Sequence, residues 1–426
     1  MQEDFLHYIW KFQKYNFTNA VTTAGEEIVV EDAGYHNRLS GPDFFNSRIR
    51  IGGQLWAGNV EIHLKSSDWY AHKHESDESY DNVILHVVWQ HDMEIYRTNN
   101  SVIPTLELKH IVHLEILEKY ELLLAREPRW INCENSFAQF DNFETLHWLE
   151  RLYFERMEQK SLLISELLQK SENDWEAVLF QLLAKGFGLN VNGDSFLSIS
   201  QSFNFTIFRR NQLENLKLQA ILFGQAGLLE EEHEDIYYQK LKKEFKYLQY
   251  KYRLTNDGVI KPKFFRLRPD NFPVIRLAQL AKIYSDTGSI VEKVINASGV
   301  EELLGIFEVE LKDYWKSHYN FGKEHLPRKK RTTKAFIDLI LINIIIPFRF
   351  AYSSYLGRSV ETDLELSEKI PAEKNSVISG FTALKPGIAV SAMESQALLE
   401  LKKNYCDLNR CLQCEFGMKY LQQNVK

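Results

Sequence analysis

Over the first hundred positions apolar and polar residues tend to alternate, and further on apolar residues recur every three or four positions. Side chains alternate faces in a strand and share a face at three- and four-residue steps in a helix, so the pattern passes from strands to helices. Phe5, Tyr8, Ile9 and Phe12 predict a short amphipathic helix over 4–14. Strands are predicted over 27–31, 47–51, 54–64, 83–90 and 105–109, with Gly52-Gly53 as a hairpin signal between two of them. The polar stretch 66–82 separates strands and has room for a short helix around 77–81. This order predicts a compact α/β unit over residues 1–112.

From residue 113 the spacing is helical. Ile111, Leu114, Leu117 and Leu122 follow a helical period over 110–126, and Glu127-Pro128-Arg129 breaks it. Further helices are predicted over 142–170, 174–186, 211–224, 233–253, 273–285, 299–316, 334–346 and 393–404. Residues 113–426 therefore read as a large all-helical region, one large domain or two ordinary ones. The expected fold class is α+β, a sheet domain followed by helices. The apolar run 335–348 is too short for a bilayer, and Asp338, Asn343 and Pro347 interrupt it, so it reads as a buried helix. The start Met1-Gln2-Glu3-Asp4-Phe5 lacks the basic and apolar regions of a signal peptide. A cytoplasmic location with no membrane partner is the expectation.

Composition narrows the classes. Hydrophobic residues at 44% and charged residues at 26% match a folded chain rather than a disordered one. The 27 Phe, 20 Tyr and 8 Trp fill cores before they need serve as base-stacking surfaces. A net charge of −7 excludes a nonspecific nucleic-acid coat and leaves room for a local basic patch. Arg328-Lys329-Lys330-Arg331 with Lys334 is one such run, although runs of this kind are more often simply solvated.

Three groups of residues carry candidate chemistry. The first joins Gly41-Pro42-Asp43-Phe44 to Gly58-Asn59-Val60-Glu61-Ile62-His63-Leu64-Lys65. Glu61, His63 and Lys65 share one face of their strand, and Asp43 opens a neighbouring one. Two carboxylates from adjacent strands make an oxygen site for Mg²⁺ or Mn²⁺. Such a cation suits phosphodiester hydrolysis, with Lys65 or His63 assisting water attack. The second group is His72, His74, Asp77, Tyr80 and His86, which with His63 can line a cleft or ligate a transition metal. His72 and His74, two apart on an extended segment, would face the same way, and His86 in its apolar run would be half-buried. Taken singly, each histidine reads better as a surface residue. The third is Cys406-x4-Cys411-x2-Cys414, with Cys133 as the one other thiol. That spacing can wrap zinc or an iron–sulfur cluster, or the thiols can simply pack on a helix.

The order helix, Pro-Asp strand, Glu-x-basic strand, connection, strand resembles the PD-(D/E)XK nuclease superfamily over the first quarter of the chain. The resemblance implies a PD-(D/E)XK-like fold for residues 1–112 and divalent-metal-dependent nuclease activity, with Asp43 and Glu61 as metal ligands. His63 stands where that superfamily usually has lysine, and Lys65 would substitute from one strand step further on. Some of its nucleases hold an iron–sulfur cluster with one remote and three C-terminal cysteines; here Cys133 follows the motif instead of preceding it. Over nearly its full length the chain is similar to an uncharacterised bacterial family defined as a domain of unknown function. The matching residues are 41–44, 58–63, Ser67-Asp68-Trp69, His72, His74, Cys406, Arg410-Cys411-Leu412 and Cys414. The expected function is a metal-dependent nuclease or nucleic-acid-processing protein with DNA or RNA as partner. The alternative is a non-catalytic interaction or structural protein on a degenerate nuclease-like fold.

Overall fold

The alternating N-terminal segments build a six-stranded mixed sheet. The computed structural model describes residues 1–37, 39–124 and 129–422, so the helix stop expected at Glu127-Pro128 lies outside the described residues. The chain divides into two units, Met1–Asn142 with Leu401–Lys426, and Phe143–Glu400. The sheet-bearing unit thus runs beyond residue 112 and takes back the C-terminal segment.

In the first unit, helix α1 (Glu3–Lys11) precedes β1 (Ile28–Asp32), β2 (Tyr35–His36), β3 (Phe44–Ile51), β4 (Gln54–Lys65), β5 (Val83–Gln90) and β6 (Thr105–Glu107). The strand order is β1-β3-β4-β5-β6, with β2 on β3. β4 pairs antiparallel with β3 and parallel with β5. A parallel return needs a crossover of a dozen or more residues. Residues 66–82 supply it, with helix α2 (Asp68–Ala71) and two 3₁₀ turns, His74–Ser76 and Glu78–Tyr80.

One face of the sheet buries Phe44, Ile49, Ile51, Val60, Ile62, Leu85 and Val87 with Phe5, Leu6 and Ile9 of α1. Pleating then sends Glu61, His63 and His86 to the other face. The crossover residues Trp69 and Tyr80 form a second, smaller core there with Val83, Ile95 and Ile103. A bulge between Phe44 and Ser47, with Asn46 at φ 59°, shifts the β3–β4 register just after Asp43.

The second unit is mostly helical and takes all but the first residue of the 29-residue helix Asn142–Lys170. The all-helical expectation needs correction. Glu310–Leu311 pairs antiparallel with Lys330–Arg331, and the helix predicted over 299–316 ends at Phe307 and resumes only at Tyr314–Ser317. Thr332 is the physical reason: its hydroxyl donates to Phe307 O at 2.7 Å and accepts from Val309 N at 3.0 Å, which holds the chain extended. Shorter helices such as Leu189–Gln201, Ile290–Asn296 and Ser376–Leu384 escaped the periodicity reading. Ser289 and Asn375 cap the last two and were the available signals.

The apolar run also proves longer than expected. Lys334–Tyr355 is one continuous helix of 22 residues, long and apolar enough to cross a membrane, and 72% of its most apolar window is buried in the fold. It passes Pro347 because a π turn, Leu341–Ile345, comes immediately before. In a regular helix the proline ring would clash with the carbonyl four residues back, and the wider turn relieves this.

Gly58 sets how closely β4 approaches β5. A Cβ there would sit 2.4 Å from Ile84 Cγ2 and 2.6 Å from the Asn82 carbonyl. Gly58→Ala is expected to destabilise the protein by about 1–3 kcal/mol through overpacking, read as a lower urea midpoint. An unchanged midpoint would show that the two strands separate freely.

Candidate metal centre

β4 and the crossover supply the donor atoms. Glu61 and His63 project from the face of β4 opposite the apolar core, and His86 lies beside Glu61 in the parallel register of β5. His63 Nε2 lies 3.1 Å from His72 Nδ1 and 3.5 Å from Glu61 Oε1. His74 Nε2 is 3.3 Å from the same Glu61 oxygen. One nitrogen from each of His63, His72 and His74 falls within a 4.8 Å group. Ligand atoms at 2.0–2.1 Å around a tetrahedral ion are separated by about 3.3 Å, so these spacings suit a coordination shell.

Two observations test that fit. His74 Nε2 is buried and has no hydrogen-bond partner although it faces Glu61. His63 Nδ1 meets His86 Nε2 at 2.8 Å. With His63 Nε2 kept unprotonated as a ligand, Nδ1–H donates to His86, the orienting arrangement that metal-bound imidazoles use. The donor set therefore suits a borderline transition ion better than an all-oxygen cation.

The crossover reaches the site differently from the extended segment expected. His72 ends α2 in the right-handed helical region, and Lys73 is left-handed at φ 63°. This reversal, not strand alternation, brings His72 and His74 together. Tyr80 stacks on His74 with centroids 3.8 Å apart, and Trp69 meets His74 and His86 edge-on. His72 is exposed, so the cluster opens to solvent on that side. His86 is fully buried, not half-buried as its sequence context implied.

Asp43 converges with Glu61. Its backbone N–H donates to Glu61 Oε2 at 3.2 Å, and its Oδ2 accepts from Ile62 N–H at 2.9 Å. The same Oδ2 lies 3.3 Å from His7 Nε2. Sequence reading missed His7 and Glu3 on α1; their i, i+4 spacing, which puts both on one side of the helix, was the available signal. Lys65 is exposed at the end of β4, where its charge acts on Asp92, and the structure does not bring it to the cluster. Asp77 stays at the surface, its carboxylate accepting from Ser79 N–H at 2.9 Å.

Burial, then the charge of Asp43, pushes the Glu61 carboxyl well above the carboxylate range. Burial and the facing carboxylate of Asp43 also raise Glu3. Burial drives His63 down to about 3, with His74 and His72 adding to it, and drives His86 well below its usual value. His74 is lowered, chiefly by burial. For His7 burial works against the charged form, but the hydrogen bond and charge of Asp43 outweigh it and raise the imidazole. His63, His74 and His86 are thus held neutral, as imidazole ligands must be, while the Glu61 carboxyl would have to give up its proton to bind a cation.

The remaining candidates lie elsewhere. Cys133, Cys406, Cys411 and Cys414 all fall in the first unit, away from these histidines in sequence. In the second unit Lys330 is buried, 4.1 Å from the Tyr319 ring centroid, and Lys334 pairs with Asp338 at 3.0 Å. Lys330 is thus taken into the fold, while Arg328, Lys329, Arg331 and Lys334 stay exposed.

The sequence profile of the family described as "Protein of unknown function (DUF2851)" matches residues 3–376. The chain belongs to the DUF2851 family. No curated protein and no solved structure matches it. The match takes in every residue of the histidine–carboxylate cluster of this DUF2851 protein and Cys133, and it ends before the three C-terminal cysteines.

The bond from Ile62 N–H makes Asp43 structural as well as acidic. In chelator-treated DUF2851 protein, Asp43→Ala is expected to cost about 1–3 kcal/mol, because it strips a partner from a backbone donor. Asp43→Asn should cost clearly less, since its amide oxygen still accepts. Chemical denaturation reads both; equal losses would place the effect in the charge instead of the bond.

Proposed function

We propose that this DUF2851 protein is a divalent-metal-dependent phosphodiesterase acting on nucleic acid, with the metal held by Glu61, His63, His72 and His74 and with Asp43 beside them. The observation that carries this reading is that His63, His72 and His74 each bring a nitrogen within 4.8 Å of one another, with Glu61 Oε1 3.5 Å from His63 and 3.3 Å from His74. The pairing of Asp43 and Glu61 from adjacent strands supports it, because it matches the acidic pair of the PD-(D/E)XK nucleases that the sequence resembles.

A divalent ion there supplies Lewis acidity and an acidified water. The protein's own groups do the rest. Asp43 fixes one Glu61 oxygen through its backbone N–H and leaves the other facing the histidines. His86 sets the tautomer of His63. Trp69 and Tyr80 hold the ring of His74. The nitrogen-rich set shifts the preferred cofactor from Mg²⁺ toward Mn²⁺ or zinc. His63 serves this reading as a ligand, not as a stand-in for the superfamily's lysine.

Purified protein is expected to cut DNA or RNA with Mn²⁺ or Zn²⁺ and to stop in chelator. Glu61→Gln, which replaces an anionic ligand with a neutral amide, and His74→Ala, which removes one, should each lower the rate by about 100-fold or more. His86→Phe, which removes only the orienting partner, should cost about 10–100-fold in activity or metal affinity. Metal-loaded protein that cuts neither single- nor double-stranded nucleic acid would favour the non-catalytic interaction role.

A further inference from the structure

Cys133, Cys406, Cys411 and Cys414 are the only cysteines in the chain. They come from separated segments of the first unit. Cys406 closes the π turn Leu401–Cys406, and the chain then reverses through Asn409 N–H to Cys406 O at 3.2 Å and Arg410 N–H to Tyr405 O at 2.9 Å. Cys411 opens a 3₁₀ turn that ends in the Cys414 N–H to Cys411 O bond at 3.3 Å. The two thiols thus sit on a turn ahead of the helix Glu415–Gln422 and not on one helix face.

The segment carrying Cys133 is tied to this turn from both sides. Asn132 Nδ2 donates to Cys411 Sγ at 3.3 Å and to Asn409 Oδ1 at 3.0 Å. Phe416 packs on Phe137 and Phe140 with ring centroids 5.0 and 4.8 Å apart. Cys133 and Cys411 border the same apolar core. Gly417 permits the close fold-back, since a Cβ there would lie 2.0 Å from Cys411 O. Cys133 feels the charge of Cys414 and Cys411, and Cys406 that of the other three. Burial raises Cys133, Cys406 and Cys411, so in the metal-free protein these three are neutral thiols.

Packing alone does not require that the segment of Cys133 dock on the turn that carries the chain's other three cysteines, with an amide N–H aimed at a sulfur. We propose that Cys133, Cys406, Cys411 and Cys414 form a tetrathiolate centre for zinc or iron that fastens the C-terminal segment to the sheet-bearing unit. Binding releases the thiol protons to solvent and draws its strength from the four thiolates. The Asn132 donor plays the orienting part that outer partners play around metal ligands. The proposal is independent of the phosphodiesterase reading, because the two donor sets share no residue.

The test uses the full chain purified without oxygen or chelator. Zinc, iron and acid-labile sulfide are measured in wild type, in His72→Ala/His74→Ala and in Cys411→Ser/Cys414→Ser. The histidine variant should keep one metal centre per chain and the cysteine variant should lose it. Labile sulfide with iron identifies a cluster, and metal without sulfide a mononuclear centre; both support the proposal. X-ray absorption on the wild-type protein reads the ligands directly and decides the matter if either variant fails to fold, with sulfur neighbours expected. Absence of zinc and iron from the wild type, metal bound by nitrogen and oxygen alone, an undiminished metal content in the folded cysteine variant, or disulfides among the four residues would each overturn it.

Discussion

Val60 and Ile62 anchor β4 in the apolar core, and the pleat therefore drives Glu61 and His63 out through the opposite face. Nearly everything about the candidate centre follows from that strand. Its antiparallel edge receives Asp43, set against Glu61 by the register Phe44↔Val60. Its parallel edge receives His86 at the level of Glu61. Because a parallel partner cannot be reached by a tight hairpin, the chain must cross over, and the crossover returns above the sheet carrying His72, His74 and Tyr80.

The cluster is unfavourable as a purely structural feature. It buries a carboxyl group and two imidazoles, and it leaves His74 Nε2 and His86 Nδ1 without hydrogen-bond partners. Each unpaired buried polar atom costs about 1–3 kcal/mol. Glu3, Asp43 and Glu61 also repel one another across the site. On the proposed reading a divalent cation would take up the His74 Nε2 lone pair and neutralise the acidic groups, while His86 Nδ1, protonated when Nε2 accepts from His63, stays unpaired.

Strand and helix positions were largely legible in the chain. The helix Asn142–Lys170 and the strand Val83–Gln90 lie where periodicity placed them, because long amphipathic or apolar runs leave little choice of secondary structure. Short elements were less legible. Leu189–Gln201 lacks a clean apolar stripe, and the Glu310–Leu311 ladder depends on Thr332, more than twenty residues away. The helix Lys334–Tyr355 outran its apparent stop at Pro347 because a π turn makes room for the ring.

For the site, strand alternation determined that Glu61 and His63 share a face, and composition determined that histidines crowd the segment after them. Distance along the chain could not reveal that α1 brings His7 to Asp43, since that contact arises from packing between α1 and the sheet. Alternation alone also over-reached at Lys65, which shares the face of Glu61 but lies past the end of the covered region. The docking of the Cys133 segment on the Cys411 turn through Asn132 was likewise a matter of tertiary structure. Local patterns set which way a side chain points, because backbone geometry is local; which distant side chains it meets is decided only when the apolar faces have chosen their partners.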